Sequence, residues 1–280
     1  MKRHSRHAGK LQNTYSFDDY YPEVEITTKS HGSYTLEGRI ITSSPDLAPD
    51  VMVIHGAKSD YSSNDKITVP LHQKGLNILS ATISGHGVCG HQSEKPFTLD
   101  ESLQEAIAFS KLMQNNNATL IGISMGGTTA VRLLQTDPQR FSKLILFYPT
   151  AFPDEAYSIP FGTNEFRKIT GEKGTFLESS FFSVIKSFQG KIMLIKGEFD
   201  GLEPNKFSKP EQNAAGTITI NGREIYSPIP PEVFNKITTL RPDTTFIEVP
   251  DADHRLSNWA ADHPEGLTQL IDHIYAFINA

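Results

Sequence analysis

The middle of this 280-residue chain alternates short apolar runs with longer segments of helical periodicity, and this alternation constrains the fold more than any other feature. A continuous apolar run such as Val51-Met52-Val53-Ile54 is typical of a strand that is buried on both faces of a sheet. Strands that alternate with helices predict βαβ units, and therefore an α/β fold with a mostly parallel central sheet flanked by helices. The predicted strands are residues 24–29, 34–42, 51–54, 77–83, 118–123, 143–148, 191–196 and 244–249, and the predicted helices are residues 67–74, 99–113, 125–134 and 264–278.

The composition argues against several classes of protein. Hydrophobic residues make up 38% of the chain and charged residues 21%, which predicts a globular domain rather than a disordered chain. A formal net charge of −6 argues against a nucleic-acid binder, because such a protein needs basic surface to neutralise phosphates. The single cysteine, Cys89, excludes an internal disulfide and a cysteine-rich metal site.

The basic segment 1–20 is expected to be a flexible tail that precedes one domain, residues 21–280. No apolar run of secretory length follows this segment, and no stretch approaches the ~18 apolar residues of a membrane-spanning helix. We therefore expect neither a signal peptide nor a transmembrane segment, with a cytoplasmic location as the default.

The motif Gly122-Ile123-Ser124-Met125-Gly126-Gly127 joins a predicted strand to a predicted helix. A serine at such a corner sits on a strained turn and projects above the sheet edge, while the flanking glycines leave room for the turn and for a substrate. The N-terminus of the following helix also directs free N–H groups at a developing anion. Ser124 is therefore predicted to be a nucleophile. The alternative is a glycine-rich turn with an incidental serine.

A serine hydroxyl needs a general base, and the base needs a carboxylate that fixes its tautomer. His254 and Asp200 each follow the end of a predicted strand, so both should lie at the carboxyl edge of the sheet. We predict that His254 is the base and that Asp200 orients it. The alternative for His254 is a solvated loop histidine, and the alternative acids are Glu198, Asp251 and Asp253.

Acyl transfer also needs hydrogen-bond donors that are aimed at the oxyanion. Met125, which follows the serine, would supply one backbone N–H, and the loop after the third predicted strand would supply the second. Gly56 in that loop lets the backbone approach the substrate, so that the Ala57 N–H points inward. His55 is predicted to brace this loop where it lines the substrate site, rather than to act as a second base.

Together these motifs resemble the α/β-hydrolase superfamily, in which the nucleophile, the acid and the histidine follow one another in that order. The resemblance covers roughly residues 24–280, and within the superfamily the chain is similar to single-domain esterases and monoacylglycerol-lipase-like enzymes. It is carried by residues 51–57, 122–127, 197–200 and 253–254. The resemblance implies that Ser124 is the nucleophile, His254 the general base and acid, Asp200 the orienting acid, and Ala57 with Met125 the oxyanion hole.

Two features depart from the pattern of the superfamily. The turn Ser84-Gly85-His86-Gly87 is similar to the family's Gly-His-Gly turn, but Thr82 and Ser84 stand where an aspartate and an arginine often precede it. The ion pair of those two residues should therefore be missing. The dipeptide Asn221-Gly222 favours a type I′ hairpin turn inside a second insertion, residues 201–240. No common subfamily feature explains this hairpin.

Residues 149–190 connect the sixth and seventh predicted strands and are too many for a plain connection. The resemblance implies that they form a lid. Their aromatic side chains either line an apolar acyl or aryl pocket over Ser124 or hold the segment to the body of the protein. Phe152, Tyr157 and Phe161, in a stretch interrupted by prolines, are the predicted substrate-binding residues, whereas Phe181-Phe182 looks like core.

The predicted function is the hydrolysis of carboxylic esters of small or acyl substrates through an acyl-enzyme, with no metal and no organic cofactor. A thioesterase and an acyltransferase would use the same intermediate, and a peptidase or amidase would need stronger protonation of its leaving group. The alternative from another class is a non-catalytic protein that binds a small molecule or a partner on the same scaffold.

Overall fold

The computed structural model describes residues 24–31, 34–44, 46–83, 97–172, 174–202, 216–220 and 222–280. The predicted tail 1–20, the turn at 84–87, Cys89 and Asn221 lie outside these described residues. Residues 203–215 of the second insertion lie outside them as well.

The described residues contain ten strands, eight of which form one sheet. They are β1 (Val24–His31), β2 (Tyr34–Ile41), β3 (Val51–Ile54), β4 (Ile78–Ala81), β5 (Ala118–Ile123), β6 (Phe141–Phe147), β7 (Lys191–Gly197), β8 (Thr217–Ile220), β9 (Arg223–Tyr226) and β10 (Thr245–Val249). The large sheet has the order β1-β2-β4-β3-β5-β6-β7-β10. Strands β4 to β10 of this order pair in parallel, and β1 and β2 form an antiparallel hairpin at one edge. The predicted α/β fold with a mostly parallel sheet is confirmed.

Six helices of the described residues lie between strands, and two more follow the last strand. They are α1 (Asp65–Gln73), α2 (Leu99–Ser110), α3 (Met125–Thr136), α4 (Asn164–Thr170), α5 (Ser180–Ser187), α6 (Pro231–Leu240), α7 (Leu256–Asp262) and α8 (Pro264–Asn279). Two 3₁₀ turns, Asp154–Ala156 and Thr175–Glu178, lie between β6 and β7. No helix in this part of the chain is both long enough and apolar enough to cross a membrane.

The central strands β3 and β5 are buried along their whole length, which explains why their sequences are continuous apolar runs. Strand β10 lies at the open edge of the sheet and is mostly exposed. The parallel register aligns the ends of neighbouring strands, so that Ile54 pairs with Gly122 and Ile123 with Phe147. The loops that leave β3, β5, β6, β7 and β10 therefore start at the same edge of the sheet.

The predicted elements are present, and their ends coincide with the prediction or differ from it by up to three residues. The strand predicted at 77–83 is β4, and it begins one residue later because the Asn77 backbone N–H donates to the Asp50 carboxylate rather than to a neighbouring strand. The helix predicted at 67–74 is α1, which begins two residues earlier and contains Pro70. The predicted hairpin is β8–β9, and Gly222 has the positive φ of 77° that its turn requires.

Candidate active site

Ser124 lies between β5 and α3 in a strained backbone conformation, with φ 52° and ψ −118°. A non-glycine residue with positive φ needs surrounding structure that fixes it. The Ser124 N–H donates to the Phe147 carbonyl (2.9 Å), and the Ser124 carbonyl accepts from the Thr150 N–H (3.0 Å). Backbone from the β6 strand and its exit loop therefore holds the serine on both sides.

The glycines of the motif allow α3 to approach three strand ends. A Cβ on Gly122 would lie 2.8 Å from the Ala130 Cβ, and a Cβ on Gly127 would lie 2.6 Å from the Pro149 Cβ. A Cβ on Gly126 would overlap the carbonyl oxygens of Ile54 and of the residue after it. Glycine is needed here because backbone packs directly against backbone.

We expect Gly126→Ala and Gly56→Ala to affect the protein in different ways. In Gly126→Ala the new Cβ meets rigid backbone, so the free energy of unfolding should fall by about 2 kcal/mol or more. In Gly56→Ala the new Cβ lies 3.2 Å from the Ser124 Cβ and 3.3 Å from the Ile123 carbonyl oxygen. Because this contact displaces the serine by only a few tenths of an ångström, kcat of a reaction that uses Ser124 should fall about tenfold, with little loss of stability. Urea unfolding and steady-state kinetics on both variants separate the two effects. Equal loss of stability would contradict this expectation.

The structure brings Ser124, His254 and Asp200 together in one hydrogen-bonded row. The Ser124 Oγ lies 3.0 Å from the His254 Nε2, and the His254 Nδ1 lies 2.6 Å from an Asp200 carboxylate oxygen. Asp200 follows β7 and His254 follows β10, which are neighbours in the sheet. The row needs His254 in the tautomer with the proton on Nδ1, since only then can Nε2 accept the serine proton.

The Asp200 carboxyl group is fully buried, and burial raises its pKa although the hydrogen bond from His254 opposes this shift. Its second oxygen accepts a hydrogen bond from the Gly201 N–H (3.0 Å). Both oxygens therefore have donors in fixed positions, which sets the orientation of the carboxylate and, through it, of the imidazole.

The three alternative acids have different surroundings. Glu198 accepts a hydrogen bond from the Asp251 backbone N–H (2.9 Å), and Asp251 itself is exposed. The Asp253 carboxylate accepts from the Tyr226 N–H (3.0 Å) and from the Arg255 guanidinium (2.6 Å). Among the described residues, Asp200 is the carboxylate that bonds to the His254 ring.

Both residues predicted for the oxyanion hole lie beside the serine. Met125 is the first residue of α3, so its N–H has no acceptor within the helix. Gly56 lies close to Ser124, since a Cβ on Gly56 would be 3.2 Å from the Ser124 Cβ. Ala57 is the next residue in the chain. Met125 and Ala57 also contact the same apolar cluster, described below.

His55 differs from the prediction that it lines the substrate site. Its ring is 1% exposed, its Nε2 accepts the Ile83 N–H (2.9 Å), and its Nδ1 lies 2.7 Å from the Gly56 carbonyl oxygen. Nδ1 must therefore be the donor, and burial lowers the pKa of this imidazole, which keeps it neutral. Neither ring nitrogen is available to a substrate, so His55 is a brace between the ends of β3 and β4.

An aromatic cluster connects the β6–β7 segment, residues 149–190, to the serine. Its buried members are Phe97, Leu99, Met125, Ala156, Tyr157 and Phe166, and its partly buried members are Ala57, Phe152, Ile159, Phe161 and Ile169. The Phe161 ring stacks on the Phe97 ring with centroids 5.3 Å apart, and Phe152 contacts the edge of Phe166 at the same distance. The cluster therefore forms an apolar surface next to Ser124, and it includes Met125 and Ala57, the two predicted oxyanion-hole residues.

The cluster separates the three predicted substrate-binding residues into two groups. Tyr157 is buried, its hydroxyl lies 3.0 Å from the Ser179 Oγ, and the Arg132 guanidinium lies 4.0 Å from the centre of its ring. This differs from the prediction, because Tyr157 holds the segment to α3 and has little surface left for a ligand. Phe152 and Phe161 remain partly exposed. Phe181 and Phe182 are core residues, as predicted.

Two tyrosines pack against the His254 ring and were missed in the sequence. The Tyr148 ring centroid lies 4.5 Å and the Tyr226 ring centroid 5.4 Å from that of His254. Tyr148 has a positive φ of 36° directly after β6, and Tyr226 ends β9. Tyr148 could have been predicted to lie at the site, because β6 lies between β5 and β7, the strands that precede Ser124 and Asp200. No local sequence signal places Tyr226 there.

Part of this sequence is similar to a known protein family and to a known protein. A family model described as serine aminopeptidase, S33, matches residues 47–177. A probable alcohol acetyltransferase of Saccharomyces cerevisiae is 28% identical over 99 residues, which are 35% of this chain. The chain thus spans only 29% of the length of that curated relative.

Solved structures resemble the whole domain. A thioesterase domain from the curacin biosynthetic pathway covers 92% of this chain over 100% of its own length, with a TM-score of 0.61 and 14% identity. A serine hydrolase from the bacterium Cycloclasticus zankles covers 92% of this chain over 98% of its own length, with a TM-score of 0.60 and 15% identity. At these identities the likeness establishes the fold.

Proposed function

We propose that this chain is a serine hydrolase of the α/β-hydrolase superfamily and that it cleaves carboxylic esters through an acyl-enzyme. The observation that carries the proposal is the unbroken row from the Ser124 Oγ through the His254 imidazole to the buried Asp200 carboxylate. A hydroxyl within 3.0 Å of an imidazole nitrogen, with a carboxylate on the other nitrogen, is the arrangement that activates a serine.

The reaction has two halves that use the same groups in the reverse order. In the first half, His254 Nε2 takes the proton of the Ser124 hydroxyl while Oγ attacks the ester carbonyl carbon, and it then gives this proton to the leaving alkoxide. In the second half, His254 takes a proton from water, the hydroxide attacks the acyl-enzyme, and the proton returns to Ser124 as the acid leaves. Asp200 stays ionised and stabilises the transient imidazolium.

The negative oxygen of each tetrahedral intermediate needs two donors. We assign this role to the backbone N–H groups of Met125 and Ala57, because Met125 begins α3 and Gly56 holds the second loop against the serine. The α3 helix dipole adds partial positive charge at the same place. A missing donor typically costs about 10²–10³ in rate, so the close packing around Gly56 matters for catalysis.

The acyl chain of the substrate is proposed to lie against Phe152 and Phe161, with the β6–β7 segment acting as a lid. These are the two predicted pocket residues that keep exposed surface, and they pack in the cluster that contains Ala57 and Met125. An aromatic side chain offers about 1.5–3 kcal/mol of apolar contact when it is fully covered, which is enough to discriminate between chain lengths.

We expect Phe161→Ala to shift the chain-length preference toward longer acyl groups, because removal of the ring enlarges the proposed pocket. The change in the ratio of kcat/KM values for p-nitrophenyl octanoate and acetate should be about tenfold. Phe246→Ala is the matched control, since Phe246 is an exposed phenylalanine on the edge strand β10. The same ratio in Phe161→Ala and in wild type would place the acyl chain elsewhere.

A second candidate function is acyl transfer to an alcohol, which the similarity to a probable alcohol acetyltransferase favours. The acyl-enzyme is the same, and the two functions differ in whether water or an alcohol accepts the acyl group. Incubation with p-nitrophenyl acetate and increasing ethanol or longer alcohols distinguishes them, because a transferase converts the acyl group into a new ester while a hydrolase releases the acid. Gas chromatography of both products gives the partition.

The test of the proposed function is a fluorophosphonate probe followed by turnover of p-nitrophenyl esters from acetate to palmitate. A serine hydrolase of this kind should form one covalent adduct on Ser124, found by peptide mass spectrometry, and should turn over at least part of the ester series. If the folded protein neither labels nor turns over an ester, a thioester or an amide, the catalytic proposal is wrong. A non-catalytic binding protein would then be the better explanation.

A further inference from the structure

We propose that the β8–β9 hairpin is a positioning element that holds the His254 imidazole in line with Ser124 and Asp200, and that Tyr226 is its principal contact. The inference rests on the proposed function, since it assigns a role in that same site. It concerns a part of the chain that is not needed to build the large sheet, because β8 and β9 form their own two-stranded sheet.

Main-chain hydrogen bonds join the hairpin to the histidine loop. The Tyr226 carbonyl accepts from the His254 N–H (3.0 Å), and the Tyr226 N–H donates to the Asp253 carboxylate (3.0 Å). One residue of the hairpin thus contacts the histidine and the residue before it. Arg223 adds a third link, since its guanidinium donates to the Asp251 carbonyl (3.2 Å).

The Asp253 carboxylate is the charged centre of this junction. It is 8% exposed, and it accepts from the Arg255 backbone N–H (2.7 Å) and from the Arg255 guanidinium (2.6 Å) in addition to Tyr226. Burial alone would raise its pKa, but these hydrogen bonds lower the pKa of Asp253 below its usual range. The Asp253 side chain is therefore committed to holding the hairpin and the loop together.

The same hairpin reaches the loop that carries Asp200. The Ser227 Oγ accepts from the Leu202 N–H (3.3 Å), and the Arg223 guanidinium lies 5.3 Å from the centre of the Phe199 ring. Phe199 and Leu202 lie on either side of the acid in the chain. The hairpin consequently bridges the two loops whose relative position sets the bond between His254 and Asp200.

The Tyr226 ring completes the arrangement because it meets the imidazole directly. The planes of the two rings are 86° apart, which is the edge-to-face geometry that aromatic pairs favour, and Tyr148 packs on the same imidazole at 57°. Rotation of the His254 ring would move Nε2 away from the serine. Two aromatic neighbours restrict that rotation while leaving both ring nitrogens to their partners.

The experiment compares Tyr226→Ala with Tyr226→Phe, which restores the ring, and with Thr219→Ala, an exposed side chain on the same hairpin. We expect Tyr226→Ala to lower kcat about ten- to a hundredfold with KM little changed, because displacement of the base slows the chemical step rather than binding. Tyr226→Phe should recover most of kcat, and Thr219→Ala should match wild type. Tyr226→Leu replaces Tyr226→Ala if the alanine variant does not fold.

A spectroscopic reading makes the inference independent of turnover. The His254 Nδ1 proton, shared with a carboxylate at 2.6 Å, should give a far-downfield ¹H NMR signal in wild type. We expect this signal to broaden or disappear in Tyr226→Ala and to persist in Tyr226→Phe. An unchanged signal and an unchanged kcat in a folded Tyr226→Ala variant would overturn the positioning role of the Tyr226 ring. If wild type hydrolyses no ester and the signal is lost only in Tyr226→Ala, the positioning role is supported and the proposed function is refuted.

Discussion

Ser124→Ala is expected to eliminate fluorophosphonate labelling and to lower kcat for ester hydrolysis by about 10⁴- to 10⁶-fold. The variant removes the atom that would form the covalent bond, and the described residues place no other hydroxyl in a bond with His254. Alanine and serine share a Cβ, so the strained φ of 52° and the backbone bonds that fix it should be kept. The loss should therefore appear in kcat and not in the melting temperature.

The measurements are intact-protein mass after labelling, the burst of p-nitrophenol at high enzyme concentration, and thermal unfolding. Ser183→Ala is the matched control, because Ser183 is an exposed serine on α5 that bonds to the Ser180 carbonyl. It should label and turn over as wild type does. Retention of a stoichiometric burst by a folded Ser124→Ala variant would show that another residue is the nucleophile.

The buried strands and the residues that follow their ends could be predicted, because the local sequence determines both. Strands covered on both faces must be apolar along their length, so Val51-Met52-Val53-Ile54 and 118–123 could be recognised directly. Because the strands are parallel, their carboxyl ends meet at one edge of the sheet. Residues just after a strand, such as Asp200 and His254, could therefore be predicted to lie at the site.

The features that sequence reasoning missed depend on contacts between distant segments. The burial of Tyr157 depends on Arg132, which lies on α3, and on Ser179 before α5. His55 is occupied through a bond with Ile83, at the end of a different strand. No pattern in the neighbourhood of these residues encodes such partners. The same holds for Tyr226, whose hairpin could be predicted from its turn but whose docking against the histidine loop could not.

The strain at Ser124 illustrates how the fold supports the site. A non-glycine residue at such a φ costs of order 1–3 kcal/mol, which a small or loosely packed domain could not sustain. Here β5 lies between β3 and β6, and the turn is bonded to the exit of β6 through Phe147 and Thr150. The stability of the buried central strands thus offsets the local strain that presents the hydroxyl.

Asp200→Asn is expected to lower kcat by about 10⁴-fold, the loss produced by the same change in a serine protease. The structure gives a specific reason for this effect. The Gly201 N–H donates to one carboxylate oxygen, so the single oxygen of an amide will face Gly201 and its NH₂ will face the His254 Nδ1. Nδ1 must then accept, the ring proton moves to Nε2, and the imidazole can no longer take the proton of Ser124.

Asp251→Asn is the matched control for this prediction. Asp251 is exposed, lies three residues before the histidine and has a φ of 58°, a region that asparagine tolerates. This variant should keep the kcat of wild type. If Asp200→Asn also keeps kcat within about tenfold, Asp200 does not orient the base and the tautomer argument fails.

Asp200→Asn should lower kcat, but its stability relative to wild type should increase as pH rises. Because burial raises the pKa of Asp200 in the folded protein, its contribution to stability is fully present below its ordinary pKa of about 3.9 and is lost as pH rises through the folded-state pKa. An asparagine does not titrate, so the melting temperature of Asp200→Asn minus that of wild type should increase over the pH range above the ordinary carboxyl pKa. Calorimetry across this range tests the sign. A difference that decreases with pH would mean that His254 stabilises the ionised carboxylate more than burial penalises it, and that the site holds a true ion pair at rest.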